Sequence, residues 1–249
     1  SADRPRISYY DSTNDDLKYA SWNGSSWDIE TVDSGGDVGE YTSLALDSAD
    51  RPRISYYDWT NRDLKYASWN GSSWDIETVD SAGEVGQCTS LALDSAERPR
   101  ISYLDWVNFD LKYASWNGSS WDIGTVESGG YVVGYTSLAL DSADRPRISY
   151  CDSTNFDLKY AAFNGLFDIQ TVDSAGYVDE YTSLALDSAD RPRISYYDST
   201  NDDLKLAVTC VRLLPGDLNG DCYVNLLDFA ELADQWLECN VPFDPSCMQ

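Results

Sequence analysis

The sequence predicts an all-β fold: a β-propeller of about five four-stranded antiparallel blades, with the terminal blades incomplete. A small C-terminal module is expected to follow it. Three observations carry the propeller: a phrase that recurs at a fixed period, alternation of residue types within each period, and a rhythm of three short turns and one longer connection. R-P-R-I-S-Y starts at Arg4, Arg51, Arg98, Arg145 and Arg191, at spacings of 47, 47, 47 and 46. The short period comes from AAFNGLFDIQ at 161–170, one residue less than ASWNGSSWDIE.

Each period holds four strand-like segments. In PRISYYD, Ile7 and Tyr9 fall on one face and Ser8 and Tyr10 on the other. LKYASW alternates likewise, WDIETVD sets Trp27, Ile29 and Thr31 against Asp28, Glu30 and Val32, and TSLALD places Leu44 with Leu46. Alternation rich in Tyr, Ile, Val, Trp and Thr is the mark of a strand. NGSS at 23–26 reads as a tight hairpin turn, since Asn-Gly supplies positive φ. DSTND and DSADR are also of hairpin length, whereas SGGDVGE at 34–40 is the longest link. Three hairpins and one crossover describe a blade, with SLALD innermost and small Ala45 suiting the crowded axis. A period of 47 residues is too short for an independent sandwich of about 100, and a solenoid coil needs no antiparallel hairpins.

Strand counting sets the phase. TSLALD occurs from Thr42, Thr89, Thr136 and Thr182, while RPRISY occurs five times. The first blade therefore lacks an inner strand and the last an outer one. Three closures are open: five blades with two incomplete, a four-bladed ring with strands left over, or pairing of the surplus edges with another chain.

Composition narrows the function. The chain has 249 residues, 43 acidic against 17 basic, and a net charge of -26, which disfavours nucleic acid and anionic membranes as partners. It has no histidine, the usual general base near neutral pH and a common metal ligand. No apolar run approaches the ~18 residues of a membrane span, and no signal peptide is evident. Residues repeated in every copy, such as Asp11 or the lysine of each third strand, read as structural: turn caps, ion pairs and core rings. Copies diverge at loop tips, where Trp59, Trp106, Arg62, Phe109 and Phe156 are candidates for stacking on sugar rings or meeting a partner. Asn23, Asn70 and Asn117 each sit in N-G-S, an N-glycosylation acceptor pattern that the turn reading already explains.

After residue 211 the composition changes. DLNGDCYVNLLD, 217–228, has calcium-loop spacing, with Asp217, Asn219, Asp221, the Tyr223 carbonyl, Asn225 and Asp228 as oxygen ligands. An apolar stripe follows at Phe229, Leu232, Ala233, Trp236 and Leu237, as in a helix. Cys210, Cys222, Cys239 and Cys247 crowd this segment and suggest disulfides and an oxidising compartment. Of three possible pairings, Cys222 with Cys239 and Cys210 with Cys247 is the expected one.

The repeat YTSLALDSADRPRISYYDSTNDDLKYASWNGSSWDIETVD resembles extracellular bacterial and archaeal tandem-repeat propellers, with a rhythm distantly similar to sugar-binding propellers. The tail resembles the calcium loop and helix of a type I dockerin, although Cys222 stands where Gly is usual and only one loop is present. These resemblances imply propeller architecture over 1–211 and a calcium-binding module over 212–249. The function expected is a secreted, non-catalytic assembly scaffold that meets copies of itself or an extracellular partner. A multivalent carbohydrate-binding propeller is the alternative, and a glycoside-active enzyme using paired carboxylates is a third reading.

Overall fold

The computed structural model describes residues 4–208. Eighteen strands form five antiparallel sheets, each a meander in chain order. The first sheet has three strands, β1 (Arg6–Asp11), β2 (Asp16–Trp22) and β3 (Trp27–Asp33). The next three have four each. They are β4 (Val38–Leu46), β5 (Pro52–Asp58), β6 (Asp63–Trp69) and β7 (Trp74–Asp80); then β8 (Val85–Leu93), β9 (Pro99–Asp105), β10 (Asp110–Trp116) and β11 (Trp121–Glu127); then β12 (Val132–Leu140), β13 (Pro146–Asp152), β14 (Asp157–Phe163) and β15 (Phe167–Asp173). The fifth holds β16 (Val178–Leu186), β17 (Pro192–Asp198) and β18 (Asp203–Val208). Blade-like sheets of this kind, laid side by side, make a propeller-like arrangement.

The innermost strands β4, β8, β12 and β16 pack in succession. The serine of TSLAL stitches them: Leu91 N–H donates to Ser43 Oγ at 3.0 Å, Leu138 N–H to Ser90 Oγ at 3.0 Å and Leu184 N–H to Ser137 Oγ at 2.9 Å. Close approach of each inner strand to the preceding blade needs glycine. A Cβ on Gly86 would lie 2.6 Å from Leu64 Cα, and one on Gly39 2.7 Å from Leu17 Cα, both at positive φ. Between sheets lie apolar clusters such as Leu64, Tyr66, Val79, Val85, Leu91, Ile101 and Tyr103.

A polar latch repeats at each blade interface. The Asp that ends one blade's outer strand accepts from a Tyr and a Lys of the next. Tyr56 Oη and Lys65 Nζ each donate to Asp33 Oδ2 at 2.6 Å; Tyr103 and Lys112 hold Asp80 at 2.7 and 2.5 Å. Tyr150 and Lys159 hold Glu127, and Tyr196 and Lys205 hold Asp173. Burial alone would raise the Asp33 carboxyl, but hydrogen bonds from Lys65, Tyr56 and Gly35 N–H outweigh it and hold it below the usual carboxylate range. A second device fastens each D-S-A-D-R turn, including the D-S-A-E-R copy at 94–98. The Asp47 carboxylate accepts from Ala49 N–H, Arg51 N–H, Arg51 Nε and Arg53 Nη2. Asp94, Asp141 and Asp187 repeat the arrangement.

The terminal sheets expose what the middle ones bury. Ile7 is 46% exposed where Ile54, Ile101 and Ile148 are 0%, and Leu204 is 82% exposed where Leu64, Leu111 and Leu158 are 0%.

The expected C-terminal module is corrected. The described residues contain no helix, so residues 4–208 are propeller-like all-β with no helical module among them; the calcium loop and helix that the dockerin resemblance implied, 212–249, lie outside the described residues. Among the described residues, no group of three or more Asp, Glu, Cys or His converges to hold a metal, so the expectation of calcium as a cofactor is corrected to this extent: these residues offer it no site. Asp217, Asn219, Asp221, Tyr223, Asn225 and Asp228 lie outside the described residues. So do Cys210, Cys222, Cys239 and Cys247, and the described residues hold no disulfide. No helix among the described residues is long and apolar enough to cross a membrane.

Candidate functional site

Among the described residues, three successive blade interfaces open into grooves built from equivalent residues. Each groove takes an Arg, a Tyr and a strand-four residue from one blade, and a turn and an aromatic ring from the next. The first, about 370 Å³, is lined by Arg6, Tyr19 and Glu30 on one side and by Asp50, Arg51, Pro52 and Trp69 on the other. The second, about 290 Å³, uses Arg53, Tyr66 and Glu77 against Glu97, Arg98, Pro99 and Trp116. The third, about 430 Å³, uses Arg100, Tyr113 and Gly124 against Asp144, Arg145, Pro146, Phe163 and Phe167.

The sheet register places these side chains together. Tyr19 pairs with Glu30 across β2 and β3, Tyr66 with Glu77 across β6 and β7, and Tyr113 with Gly124 across β10 and β11. Side chains paired across neighbouring strands share a face, so ring and carboxylate arrive side by side. The floor is a triplet of rings. Trp74 stands edge-on to Tyr19 at 5.7 Å and to Trp69 at 5.5 Å. Trp121 does the same with Tyr66 and Trp116, at 5.6 and 5.5 Å. In the third groove Phe167 takes that place, 5.9 Å from Tyr113 and 5.1 Å from Phe163.

Electrostatics follow from the same neighbours. Burial pushes the Tyr66 hydroxyl up to about 12, with the Arg53 guanidinium opposing and Glu77 reinforcing, so it stays a neutral donor. Desolvation also raises the Glu77 carboxyl, although the residue as a whole is exposed; the Trp121 indole N–H opposes the shift from outside hydrogen-bond geometry. Four buried donors at these grooves lack a partner: Nε of Arg53 and Arg100, and Nε1 of Trp74 and Trp121. A ring face, a carboxylate and a guanidinium in one cleft match a ligand with an apolar C–H face and neighbouring hydroxyls.

The loop-tip residues singled out in the sequence sit apart from these grooves and lean on the molecule itself. Phe109 stacks on Tyr131 at 3.9 Å, Trp106 lies 6.0 Å from Phe109, and Phe156 lies 4.5 Å from Tyr177. Trp59 is half exposed and meets Tyr57 edge-on at 5.7 Å, and Arg62 bridges to Glu84 at 3.0 Å. Trp106 also borders a second cavity of about 470 Å³ at the inner strands, with Tyr41, Gln87, Cys88, Tyr131, Tyr135 and Tyr181. Asn23 is engaged at both ends of its amide. Its Oδ1 accepts from Ser25 and Ser26 N–H, and its Nδ2 donates to Ser26 Oγ and Asp28. Asn70 and Asn117 repeat this turn.

The groove residues were missed in the sequence because most of them recur from copy to copy and so read as framework. The signal that marks them is in the repeat itself: the second Arg of R-P-R, and the Tyr and Glu that face each other across a hairpin.

No family model matches the chain, and no curated protein matches it in sequence. Solved structures do share its fold. A protein of unknown function from Dyadobacter fermentans is 11% identical with a TM-score of 0.56, over 78% of this chain and 67% of that one. An exo-β-1,3-galactanase from Phanerochaete chrysosporium is 8% identical with a TM-score of 0.51, over 84% of this chain and 58% of that one. A Hadza microbial sialidase is 10% identical with a TM-score of 0.50, over 78% of this chain and 50% of that one. The chain thus spans about half the length of the two enzymes. These matches correct the expectation of a purely non-catalytic, self-associating scaffold: the same fold carries glycoside hydrolases, so it does not mark a structural role or exclude an enzyme. What the matches establish is the fold, a propeller-like stack of antiparallel sheets.

Proposed function

We propose that this protein is a multivalent carbohydrate-binding propeller that works outside the cell. The observation that carries the reading is the groove repeated at successive blade interfaces, each with ring, guanidinium and hydroxyl in the same order. A sugar seated there would lay its C–H face on Trp69 or Trp116. Its hydroxyls would meet the Glu30 or Glu77 carboxylate and the neighbouring Arg side chains. Repetition suits weak sites, because several modest contacts to one polymer raise the overall avidity without any new contact. The loop-tip set Trp59, Trp106, Arg62, Phe109 and Phe156 supplies a second aromatic surface for a long glycan. A glycan array tests the reading. Binding is expected for the wild-type chain and is expected to weaken about tenfold or more in a Trp69→Ala, Trp116→Ala double variant. No binding to any glycan, or binding untouched by the double variant, would contradict it.

A further inference from the structure

The third groove differs from the other two at one carboxylate and at its rings. Glu30 and Glu77 in the first two become Gly124 in the third, and the indoles of Trp69 and Trp74, or Trp116 and Trp121, become Phe163 and Phe167. The third groove therefore loses a carboxylate acceptor and two indole donors together. Its remaining carboxylates are committed elsewhere. Asp144 accepts from Ser95 N–H at 2.8 Å and from Ser95 Oγ at 2.5 Å. Asp122 accepts from Asn117 Nδ2 at 3.1 Å through both oxygens. What remains between them is largely apolar: the rings of Tyr113, Phe163 and Phe167, beside Arg145 and Pro146. Above Gly124 there is open space, since a Cβ built there would meet nothing within 4 Å. The guanidinium of Arg100 stays in the wall, with its Nε buried and unpartnered.

We infer that the third groove selects a saccharide bearing an aryl substituent, seated over Gly124 against Phe163 and Phe167. The inference rests on the carbohydrate reading above. Position 30/77/124 is then the specificity-determining position of the array: a carboxylate there demands hydroxyl donors, and glycine admits apolar surface. An aryl group that leaves water for this groove gains by its buried area, whereas in the other two grooves it would desolvate a carboxylate.

The test is calorimetric titration of the full chain with matched methyl and p-nitrophenyl glycosides of a panel of common hexoses, and with p-nitrophenol alone. At one site of the array, the p-nitrophenyl glycoside is expected to bind about tenfold tighter than its methyl partner. Gly124→Glu is expected to erase that preference and Phe163→Leu, which nearly keeps the volume, to reduce it. The space above Gly124 lets the Glu variant fold, and an unchanged circular-dichroism spectrum checks this. Equal affinity for both glycosides in the wild-type chain, or an aryl preference that survives in Gly124→Glu, would overturn the inference. Failure of the underlying reading looks different. If p-nitrophenol binds and Gly124→Glu abolishes it, while no glycoside binds, the apolar groove stands and its sugar ligand falls. If methyl glycosides bind with no aryl preference, only the inference falls.

Discussion

Replacing Tyr56 with Phe removes one hydroxyl from the latch between the first two blades. That hydroxyl is fully buried and donates to Asp33 Oδ2 at 2.6 Å. Asp33 keeps Lys65 Nζ at 2.6 Å and Gly35 N–H at 3.0 Å, so the carboxylate stays compensated rather than orphaned. The loss is then that of one buried hydrogen bond to a charged acceptor, roughly 1.5–3 kcal/mol. Tyr9 is the internal control. It occupies the equivalent position of the first sheet, and among the described residues no preceding blade offers it a carboxylate. Tyr9→Phe is expected to cost about 0.5 kcal/mol or less, as for a substitution away from any network. Urea denaturation of both variants, followed by near-ultraviolet circular dichroism, measures the difference, provided the slope is unchanged. Equal costs at Tyr9 and Tyr56, or a cost below about 0.5 kcal/mol at Tyr56, would refute the latch as a source of stability.

Other expectations follow from the same contacts. Gly86→Ala places a Cβ 2.6 Å from Leu64 Cα at φ +105°, whereas Gly71→Ala at φ +106° meets nothing within 4 Å. The first is expected to cost about 3 kcal/mol or more and the second about 1 kcal/mol, measured by thermal melting. Burial would raise the Asp141 carboxyl, but Arg145 N–H, the Arg147 guanidinium, Ala143 N–H and the Arg145 guanidinium bring it from 3.8 down to about 2. A carboxyl depressed in the folded state stabilises fully above its unfolded value, so this contribution of roughly 2 kcal/mol is lost as pH falls from 3.8 toward about 2. Burial raises Asp63, Asp110, Glu40 and Glu77, and protonating these on the way down relieves strain instead. The melting temperature is therefore expected to hold or rise slightly from neutral pH toward about 5 and to fall steeply below about 4. Asp141→Asn should lower the neutral-pH melting point and flatten the acid limb; an unchanged limb would count against the clamp.

The framework was legible because it is local. Asn23 and its copies form the N-G-S-S turn that Asn-Gly requires, and Asp58 caps its turn through Asn61 as the repeat implied. The lysine of each third strand does pair with carboxylates, but much of the pairing crosses to the previous blade, 32 residues back for Lys65 and Asp33. The grooves were illegible for a related reason. Each is shared by two blades, so no single repeat displays it, and its residues also serve the framework. Arg53 gives Nη2 to the Asp47 clamp while its Nε lies at the groove with no partner. Divergent loop tips stand out in the sequence because each differs visibly from its sister copies. In a repeat protein, equivalent sites lie where the copies agree, and the divergent Phe109 is occupied with Tyr131 from the next crossover.

A crystal of the chain soaked with its best glycan-array ligand tests the central claim most directly. The account predicts saccharide density between blades, lying on Trp69 and Trp116 and within reach of Arg6 and Arg53. Density confined to the inner-strand cavity around Tyr41, Tyr135 and Tyr181, with the grooves empty, would contradict it.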